Sequence, residues 1–314
     1  TSCTDALEMC AILANINDGD EVIVPSYTFV SSALPFVRQN ATIVFADSYE
    51  DNPNIDADKI EALITPKTKA IVIVHYAGIA CEMERILEIA AQHNLIVIED
   101  AAQAVDSYYT FKDGTKKALG SIGHLGAFSF HETKNIISGE GGMLTINDDK
   151  YIHRAEIIGE KGTNRSSFFR GEINKYGWVD TGSSFLPSEI ISAFLWAQVE
   201  NISQIQHRRL EIWNLYHDGL KNNKRISLPK IPDYATNNAH MFFIVCENIK
   251  FRTALISKLK EENILAVFHY LSLHKSDFYS DKHDGRNLPN SDNFEGCLLR
   301  LPLYYELQQN EQQQ

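Results

Sequence analysis

Residues 97–103 read Val97-Ile98-Glu99-Asp100-Ala101-Ala102-Gln103, and residues 129–135 read Ser129-Phe130-His131-Glu132-Thr133-Lys134-Asn135. In each stretch a short apolar run ends in polar side chains, as a buried strand does where it meets a loop. Similar runs recur between longer amphipathic stretches, at residues 21–24, 42–46, 70–75, 95–99, 126–130 and 143–146. Runs that are apolar on both faces are typical of parallel strands covered by helices. The alternation therefore predicts an α/β fold with a mainly parallel sheet.

The length of the chain indicates more than one domain. Its 314 residues exceed the about 250–300 residues at which single cores stop growing. We expect a large domain over residues 1–204 and a smaller α+β domain over residues 205–314. Apolar spacing predicts a helix over residues 83–93 and a long helical stretch over residues 189–220 that links the domains. The smaller domain is predicted to contain strands at residues 241–245 and 266–270 and a helix at residues 252–263.

The composition excludes several classes of protein. With 41 acidic and 29 basic residues the net charge is −12, which disfavours binding to nucleic acid. No apolar run approaches the roughly 20 residues that span a bilayer, so we expect no membrane segment. The five cysteines are scattered, with neither a disulfide framework nor the spacing of metal ligands. We expect a cytoplasmic protein without a metal site.

Both ends of the chain have unusual features. It begins Thr1-Ser2-Cys3-Thr4, without methionine or a signal-peptide pattern, at the entry to a predicted helix. It ends in the polar, glutamine-rich segment 307–314 without a capping pattern. We expect the natural protein to have further residues at both ends.

Lys134 and Asp100 form the most informative pair of residues. A lysine amine can bind an aldehyde covalently, and a carboxylate can keep a pyridine nitrogen protonated, so the pair indicates pyridoxal 5'-phosphate (PLP). For Lys134 the alternative is a solvent-exposed lysine, although the glycines at 139, 141 and 142 favour a close backbone approach beside it. For Asp100 the alternative is a helix N-cap, with Gln103 completing a capping box instead of contacting a cofactor.

Other polar and aromatic residues near these motifs are candidate ligands. Thr4 and Asp5 lie where backbone amides at a helix N-terminus bind phosphate, or where they merely cap the helix. The Ser129 hydroxyl would contact the same phosphate or a neighbouring carbonyl group. Phe29 would stack on a pyridine ring or belong to the core, and His131 would lie near that ring or be structural.

A basic loop follows further along the chain. It contains Lys161, Asn164 and Arg165, with Arg170 close behind. Guanidinium and ammonium groups bind diphosphate well, and the alternative is an ordinary solvated loop. Three familiar motifs are absent from the sequence: Gly-x-Gly-x-x-Gly, Gly-x4-Gly-Lys-Ser/Thr and Gly-x-Ser-x-Gly. Their absence argues against dinucleotide binding, a P-loop and a serine hydrolase.

Four motifs taken together resemble the DegT/DnrJ/StrS family of PLP-dependent sugar aminotransferases: residues 25–31, 74–78, 99–103 and 128–135. The similarity extends over nearly the whole chain. It implies the type I, aspartate-aminotransferase-like PLP fold, with a mainly parallel large domain and a smaller C-terminal domain. It also implies a homodimer with active sites at the subunit interface, L-glutamate as amino donor and a nucleotide-linked keto sugar as acceptor.

The resemblance also implies roles for single residues. Lys134 would bind the cofactor covalently and Asp100 would face its ring nitrogen. The remaining contacts would come from Thr4, Asp5 and Ser129 at the phosphate, and from Phe29, Gln103 and His131 around the ring. Residues 160–166, 168–171 and 182–185 most resemble members that aminate dTDP-4-keto-6-deoxy-D-glucose at carbon 4. Many members carry Asn or Arg near residues 184–186, where this chain has Ser184-Phe185-Leu186, so that partner-subunit contact is unassigned.

Two other functions are compatible with the same motifs. One is a PLP-dependent sugar dehydratase, whose members resemble this chain but have histidine in place of the lysine, so Lys134 argues against it. The other is a non-catalytic homologue that binds a nucleotide sugar. The presence of both Lys134 and Asp100 argues against that function.

Overall fold

The computed structural model describes residues 1–313. Its strands are β1 (Glu21–Pro25), β2 (Thr42–Ala46), β3 (Thr68–Val74), β4 (Ile96–Asp100), β5 (Tyr108–Thr110), β6 (Lys116–Ala118), β7 (Leu125–Ser129), β8 (Gly142–Ile146), β9 (Ile226–Ser227), β10 (Phe242–Cys246) and β11 (Leu298–Leu301). Its α-helices are α1 (Cys3–Leu13), α2 (Leu34–Arg38), α3 (Ala57–Ile60), α4 (Met83–His93), α5 (Ile152–Gly159), α6 (Arg165–Phe169), α7 (Glu189–Glu200), α8 (Ile202–Leu220), α9 (Ile249–Glu261), α10 (Pro289–Cys297) and α11 (Gln309–Gln312). Short 3-10 helices lie at Val30–Ser32, Glu61–Leu63, Tyr76–Gly78, Asp149–Tyr151, Leu273–Lys275 and Ser280–Lys282.

The central sheet has six strands in the order β2-β1-β3-β4-β7-β8. Strands β2, β1, β3, β4 and β7 are parallel, and β8 pairs antiparallel with β7. Each strand of this sheet overlaps one of the six predicted runs, so the predicted α/β fold with a mainly parallel sheet is confirmed. The parallel direction brings the carboxyl ends of β1, β3, β4 and β7 to one edge of the sheet.

Apolar side chains cover both faces of the central sheet. Val22 and Val24 of β1 pack with helices α1 and α2 in one core cluster. Ile23, which lies between them in the sequence, packs with helix α4 in a second cluster. Because successive side chains of a strand point to opposite faces, a run of three β-branched residues supplies both cores. This explains why the strands read as continuous apolar runs.

Helix α1 is held tightly against the end of β8. Ser2 is its N-cap, and the Ser2 hydroxyl accepts a hydrogen bond of 3.1 Å from the Asp5 amide. A Cβ atom at Gly142 would collide with the Ser2 carbonyl group, so glycine is needed where β8 begins. This close approach fixes the N-terminus of α1 beside the end of β7.

A second sheet, in the order β11-β10-β9, forms the centre of the C-terminal part. Its pairs are antiparallel, and helices α9 and α10 pack against it. The predicted strand at residues 266–270 is wrong, because this segment makes only an isolated bridge between Val267 and Arg300. The rings of His269 and Tyr270 stack with centroids 3.5 Å apart. Consecutive residues of a strand point to opposite faces, so this stacking excludes regular strand geometry.

The predicted helical stretch over residues 189–220 consists of two helices. Helix α7 ends at Glu200 and helix α8 begins at Ile202, with Asn201 outside helical geometry between them. The Asn201 side-chain amide donates to the Ala197 carbonyl oxygen at 2.8 Å, which caps the end of α7. The domain boundary at residues 204 and 205 falls inside α8 and stays a prediction.

Two structural features bear on partners and location. Within residues 1–313, no helix is long and apolar enough to cross a bilayer. In the same part of the chain, no three His, Cys, Asp or Glu side chains converge to form a metal site. The cytoplasmic location stays a prediction.

Candidate active site

Polar side chains from three neighbouring strands meet at the carboxyl edge of the central sheet. Asp100 is the last residue of β4, and His75 follows β3 directly. Lys134 lies in the loop that leaves β7, the strand on the other side of β4. The strand order β3-β4-β7 therefore brings the predicted carboxylate and the predicted amine together, although they are far apart in sequence.

Asp100 is buried, and its carboxylate has hydroxyl and amide donors. The Ser32 hydroxyl donates to Asp100 Oδ2 at 2.7 Å, and the Ala102 amide donates to Oδ1 at 3.1 Å. Thr28 Oγ1 lies 2.8 Å from Ser32 Oγ and extends this chain of hydroxyl groups. Burial raises the pKa of Asp100, while the Ser32 and Ala102 hydrogen bonds and the charge of Lys134 lower it in part. A cationic N–H group would stabilise the ionised form of this carboxylate.

The capping alternative for Asp100 and Gln103 is wrong. A turn follows Asp100, and no helix begins there. Gln103 instead connects two other segments, since its Oε1 accepts from the Ala77 amide at 2.6 Å and its Nε2 donates to Tyr270 Oη at 2.8 Å. The side-chain amide of Gln103 thus fixes the Tyr270 hydroxyl at the edge of the site.

Lys134 is partly buried in a loop closed by backbone hydrogen bonds. The Lys134 amide donates to the His131 carbonyl oxygen at 2.9 Å, and the Phe130 amide donates to the Gly141 carbonyl oxygen at 2.8 Å. Burial lowers the pKa of the Lys134 ammonium; Asp100 opposes this shift, and the positive charge of Arg300 adds to it. The solvated-lysine alternative is therefore wrong, and the surroundings of Lys134 favour a neutral, nucleophilic amine.

The loop between β7 and β8 carries Lys134 and is called the lysine loop below. Asn135 anchors this loop to residues 206–240. Its side-chain amide donates to Gln206 Oε1 and to the Asn238 carbonyl oxygen, both at 2.8 Å. Its Oδ1 accepts a hydrogen bond of 2.8 Å from His240 Nδ1. Three buried partners on a single side chain leave the backbone beside Lys134 little freedom to move.

The predicted phosphate ligands lie together at the start of helix α1. Ser129 pairs with Gly142 in the β7–β8 ladder, and Gly142 packs against the backbone at Ser2. Thr4 Oγ1 lies 2.8 Å from Ser31 Oγ, and Asp5 accepts a hydrogen bond from the Thr1 hydroxyl. Hydroxyl groups and the free amides of a helix N-terminus are the donors that phosphate prefers.

Phe29 and His131 lie at the open side of the site. Phe29 is 56% exposed, which excludes the core alternative, and its ring centroid is 6.1 Å from that of Tyr270. His131 Nδ1 lies 3.0 Å from Thr133 Oγ1, and His131 Nε2 lies 3.6 Å from a Glu140 carboxylate oxygen. The contact of both side chains with a cofactor ring stays a prediction.

The predicted diphosphate-binding residues lie in a separate loop between α5 and α7. Arg165 is 3.4 Å from Glu160, and Arg170 contacts Glu156 at 2.9 Å and Glu172 at 2.7 Å. Asn164 Oδ1 accepts from the Gly177 amide at 2.8 Å, and Lys161 has a left-handed backbone with φ of 64°. Since these arginines already have carboxylate partners, diphosphate binding through Lys161, Asn164, Arg165 and Arg170 stays a prediction.

A buried hydrogen bond between Glu99 and His75, beneath the site, was not predicted from the sequence. Glu99 lies 2.9 Å from His75 Nε2, and the amides of Gly120, Ile122 and Gly123 donate to its carboxylate at 2.5–2.7 Å. Burial alone would raise the pKa of Glu99, but His75 and these amides outweigh it and hold the pKa below its usual 4.5. In the sequence, the signal for these hydrogen bonds is Glu99 itself, an acidic residue directly before Asp100.

We expect Glu99→Gln to lower the free energy of unfolding by about 3 kcal/mol at pH 7, because a buried His75 and several amides lose a charged partner. The folded-state pKa lies below 4.5, so this stabilisation is present above pH 4.5 and is lost as the pH falls through the folded-state value. Urea unfolding at pH 7 and at lower pH measures the difference. A variant as stable as the wild type at pH 7 would contradict this account of the buried Glu99 carboxylate.

The whole of this chain, residues 1–314, matches the model of the DegT/DnrJ/EryC1/StrS aminotransferase family. The chain belongs to this family. SpsC, a spore coat polysaccharide biosynthesis protein of Bacillus subtilis, is 34% identical over 96% of this chain and 79% of its own length. The GDP-perosamine synthase of Caulobacter vibrioides is 36% identical over 77% of this chain and 61% of its own length.

A solved relative has the same fold. Spr1654 of Streptococcus pneumoniae, in its PLP form, superimposes with a TM-score of 0.89 and 25% identity. The superposition covers 99% of this chain and 83% of Spr1654. The predicted type I PLP fold and the PLP cofactor of this aminotransferase are thereby confirmed.

The residues around Lys134 fit PLP chemically. A partly buried amine with a lowered pKa suits the aldehyde, and the buried Asp100 carboxylate suits a protonated ring nitrogen. The Ser129 hydroxyl and the N-terminus of α1 would supply phosphate donors, and Gly142 allows the close approach of α1 to β8 that brings them together. This sugar aminotransferase thus has one suitable group for each reactive part of its cofactor.

Proposed function

We propose that this aminotransferase transfers the amino group of L-glutamate to carbon 4 of dTDP-4-keto-6-deoxy-D-glucose and forms dTDP-4-amino-4,6-dideoxy-D-galactose. The observation that carries amino transfer is the pairing of Lys134, with its lowered pKa, and Asp100 at adjacent strand ends. The resemblance of residues 160–185 to members that act on this sugar supports the substrate. The name of the Caulobacter relative also contains a nucleotide-linked amino sugar.

Proton transfer is the task of Lys134 in this proposal. PLP, when bound, supplies a ring that accepts the electron pair released as a proton leaves carbon. Nζ of Lys134 takes the proton from the α-carbon of L-glutamate and later delivers a proton to carbon 4 of the sugar. Burial lowers the pKa of Lys134, which favours the neutral amine that this step needs.

Asp100 and its neighbours hold their positions throughout the reaction. Asp100 keeps a proton on the facing ring nitrogen by a charge-assisted hydrogen bond. The Ser32 hydroxyl and the Ala102 amide orient the carboxylate, so that it needs no reorganisation when charge develops. In this proposal Phe29, Gln103 and His131 would contact the ring and would limit the access of water.

We further propose that the enzyme is a homodimer in which helix α7 lies at the subunit interface. The described part of α7 has no buried residue, although its sequence is largely apolar. Ile190 is 82% exposed and Trp196 is 63% exposed, and Trp178 and Leu186 before the helix are also exposed. A contiguous apolar surface of this kind is typical of a protein interface. The segment 184–186 adjoins it, so the interface would include the edge of the active site.

We expect Ile190→Asp to weaken the dimer by at least about 100-fold, because two unpaired carboxylates would be buried at a symmetric interface. Sedimentation velocity over a range of protein concentrations measures the change. Ile249→Asp, at a 55% exposed position in helix α9, is the matched control and should leave the dimer intact. Equal dissociation of both variants, or of neither, would contradict the placement of the interface at α7.

The substrate proposal is tested with purified PLP-loaded enzyme, L-glutamate and the dTDP-linked keto sugar. We expect consumption of glutamate to match the formation of an amino sugar, with NMR showing the new amine at carbon 4 in the galacto configuration. A GDP-linked 4-keto sugar is the matched competitor. Turnover of the GDP sugar alone, or an amine at carbon 4 in the gluco configuration, would overturn the assignment while leaving amino transfer intact.

A further inference from the structure

His274 is a buried histidine from the C-terminal part of the chain that reaches the end of strand β1. It lies in the 3-10 helix Leu273–Lys275 and is 5% exposed. Its Nδ1 atom is 2.7 Å from the hydroxyl oxygen of Ser26, the buried residue that follows β1 directly. On the other side of the ring, Nε2 faces Asp292 Oδ1 at 3.6 Å, and the His283 ring centroid is 5.0 Å away. The ring is thus enclosed on both sides.

Ser26 connects His274 to the turn that follows β1. The Ser26 carbonyl oxygen accepts from the Leu273 amide at 3.0 Å and from the Thr28 amide at 3.1 Å. The Ser26 amide donates to the Ala46 carbonyl oxygen at 2.9 Å, which attaches the same residue to the end of β2. Since one residue makes all of these contacts, the position of Thr28 depends on how Ser26 is held.

A chain of buried hydroxyl groups leads from this turn to Asp100. Thr28 Oγ1 lies 2.8 Å from Ser32 Oγ, and the Ser32 hydroxyl donates to Asp100 Oδ2 at 2.7 Å. A hydroxyl group has a single hydrogen to donate. Because Ser32 donates its hydrogen to Asp100, the Thr28 hydroxyl must donate to Ser32. A shift of Thr28 would therefore release the Ser32 hydroxyl from the position in which it orients the carboxylate.

The segment around His274 has other anchors on the central sheet. Tyr279 Oη accepts from the Ile43 amide of β2 at 2.6 Å, and the Ser291 hydroxyl donates to Asp47 Oδ1 at 2.9 Å. These contacts lie along β2 and just beyond its end. They attach the segment to the sheet without touching the turn after β1. The contact of His274 differs from them because that turn leads to the carboxylate of the active site.

We propose that His274 is a positioning residue for Asp100. Through Ser26 it holds Thr28 and Ser32 where their hydroxyl groups direct the carboxylate at the ring nitrogen of PLP. His274 does not touch the cofactor and takes no part in proton transfer. This inference rests on the proposed contact between Asp100 and the ring nitrogen, and it adds the residue of the C-terminal part that maintains this contact.

Two readouts report on the ring nitrogen without turnover. One is the affinity for PLP, measured by titrating the PLP-free protein. The other is the NMR resonance of the ring nitrogen in enzyme loaded with PLP that carries an isotope label there. For Ser26→Ala and His274→Ala we expect the affinity for PLP to fall by about 3- to 10-fold. The resonance should move in the same direction as in Ser32→Ala.

A double variant tests whether His274 acts through the hydroxyl chain. In protein that already carries Ser32→Ala, the chain from Thr28 no longer reaches Asp100. The further change His274→Ala should then alter the affinity for PLP by less than about 2-fold and leave the resonance where it is. A histidine that only supports the fold would instead give losses that add.

Two further variants separate positioning from stability. Tyr279→Phe removes a contact of the same segment that has no link to Ser26. It should lower the stability in urea unfolding and leave the affinity for PLP and the resonance unchanged. His274→Asn keeps a polar atom near the position of Nδ1, so it should recover most of the affinity that His274→Ala loses.

Three outcomes would overturn the inference. They are wild-type affinity and resonance in Ser26→Ala and His274→Ala, additive losses in the double variant, and an equal loss in Tyr279→Phe. If His274→Ala fails to fold, Ser26→Ala decides the question, because it removes the same hydrogen bond with the loss of one atom. Wild-type affinity and resonance in Asp100→Asn would instead contradict the proposed role of Asp100, so the two failures are distinguishable.

Discussion

Lys134→Ala is expected to reduce the rate of amino transfer by at least about 1000-fold, because the variant loses both the covalent partner of the cofactor and the base that moves the proton. The fold should be retained. The lysine loop is closed by backbone hydrogen bonds and by the Asn135 side chain, none of which involves Nζ. Steady-state kinetics with glutamate and keto sugar measure the loss, and urea unfolding shows whether stability is kept.

Two further variants make the Lys134 result specific. Lys134→Arg keeps a positive charge near Asp100 but cannot form the covalent bond, so it should be as inactive as Lys134→Ala. Lys150→Ala removes an exposed lysine paired with Asp148 and should retain full activity. Activity within 10-fold of wild type in either Lys134 variant would show that another amine performs the reaction.

Asp100→Asn is expected to lower the rate by about 100-fold or more and to weaken cofactor binding. The neutral amide has no negative charge opposite a protonated ring nitrogen, so it no longer stabilises the protonated form of the ring. Asp100→Glu keeps a carboxylate and should retain more activity than Asp100→Asn. Cofactor affinity, measured by titrating the PLP-free protein, gives a readout that is separate from turnover.

Asp100→Asn is also expected to change how the stability of the PLP-free protein depends on pH. Burial raises the pKa of Asp100 above its usual 3.8, so the folded state holds this proton more tightly than the unfolded chain. The stabilising contribution is present below pH 3.8 and is lost as the pH rises through the folded-state value. Asp100→Asn should therefore show a flatter stability profile between about pH 4 and pH 7 than the wild type. A steeper profile would contradict the shift.

Much of the fold was predictable because its signals are local. Strands β1 to β4 of the central sheet are short runs rich in β-branched residues, which match parallel strands with both faces buried. The errors arose where tertiary contacts override local pattern. Residues 266–270 resemble a strand, but His269 and Tyr270 stack and form hydrogen bonds with Tyr76 and Gln103. Asn201 interrupts a helical pattern that the sequence alone reads as continuous.

Some residues of the candidate site could be predicted from the local sequence, and others could not. Lys134 and Asp100 lie in motifs whose neighbouring residues indicate their chemistry, so the sequence was sufficient to propose both. Tyr270 and Arg300 lie outside the four motifs, and Ser32 only borders one of them. They reach the site through strand order and through contacts between parts of the chain more than 60 residues apart, as with Ser32 and Asp100. Their positions depend on the packing of two sheets, which no local pattern encodes.

The reversed direction of β8 has a consequence for evolution. Since β7 and β8 form a hairpin, the ladder from Leu125–Ile146 to Ser129–Gly142 fixes both ends of the loop that carries Lys134. Substitutions within that loop leave the sheet hydrogen bonds intact. A lineage can therefore exchange the reactive residue, and with it the type of reaction, without rebuilding the scaffold. Because the reactive lysine lies in a hairpin loop, a few mutations can change the reaction that the enzyme catalyses.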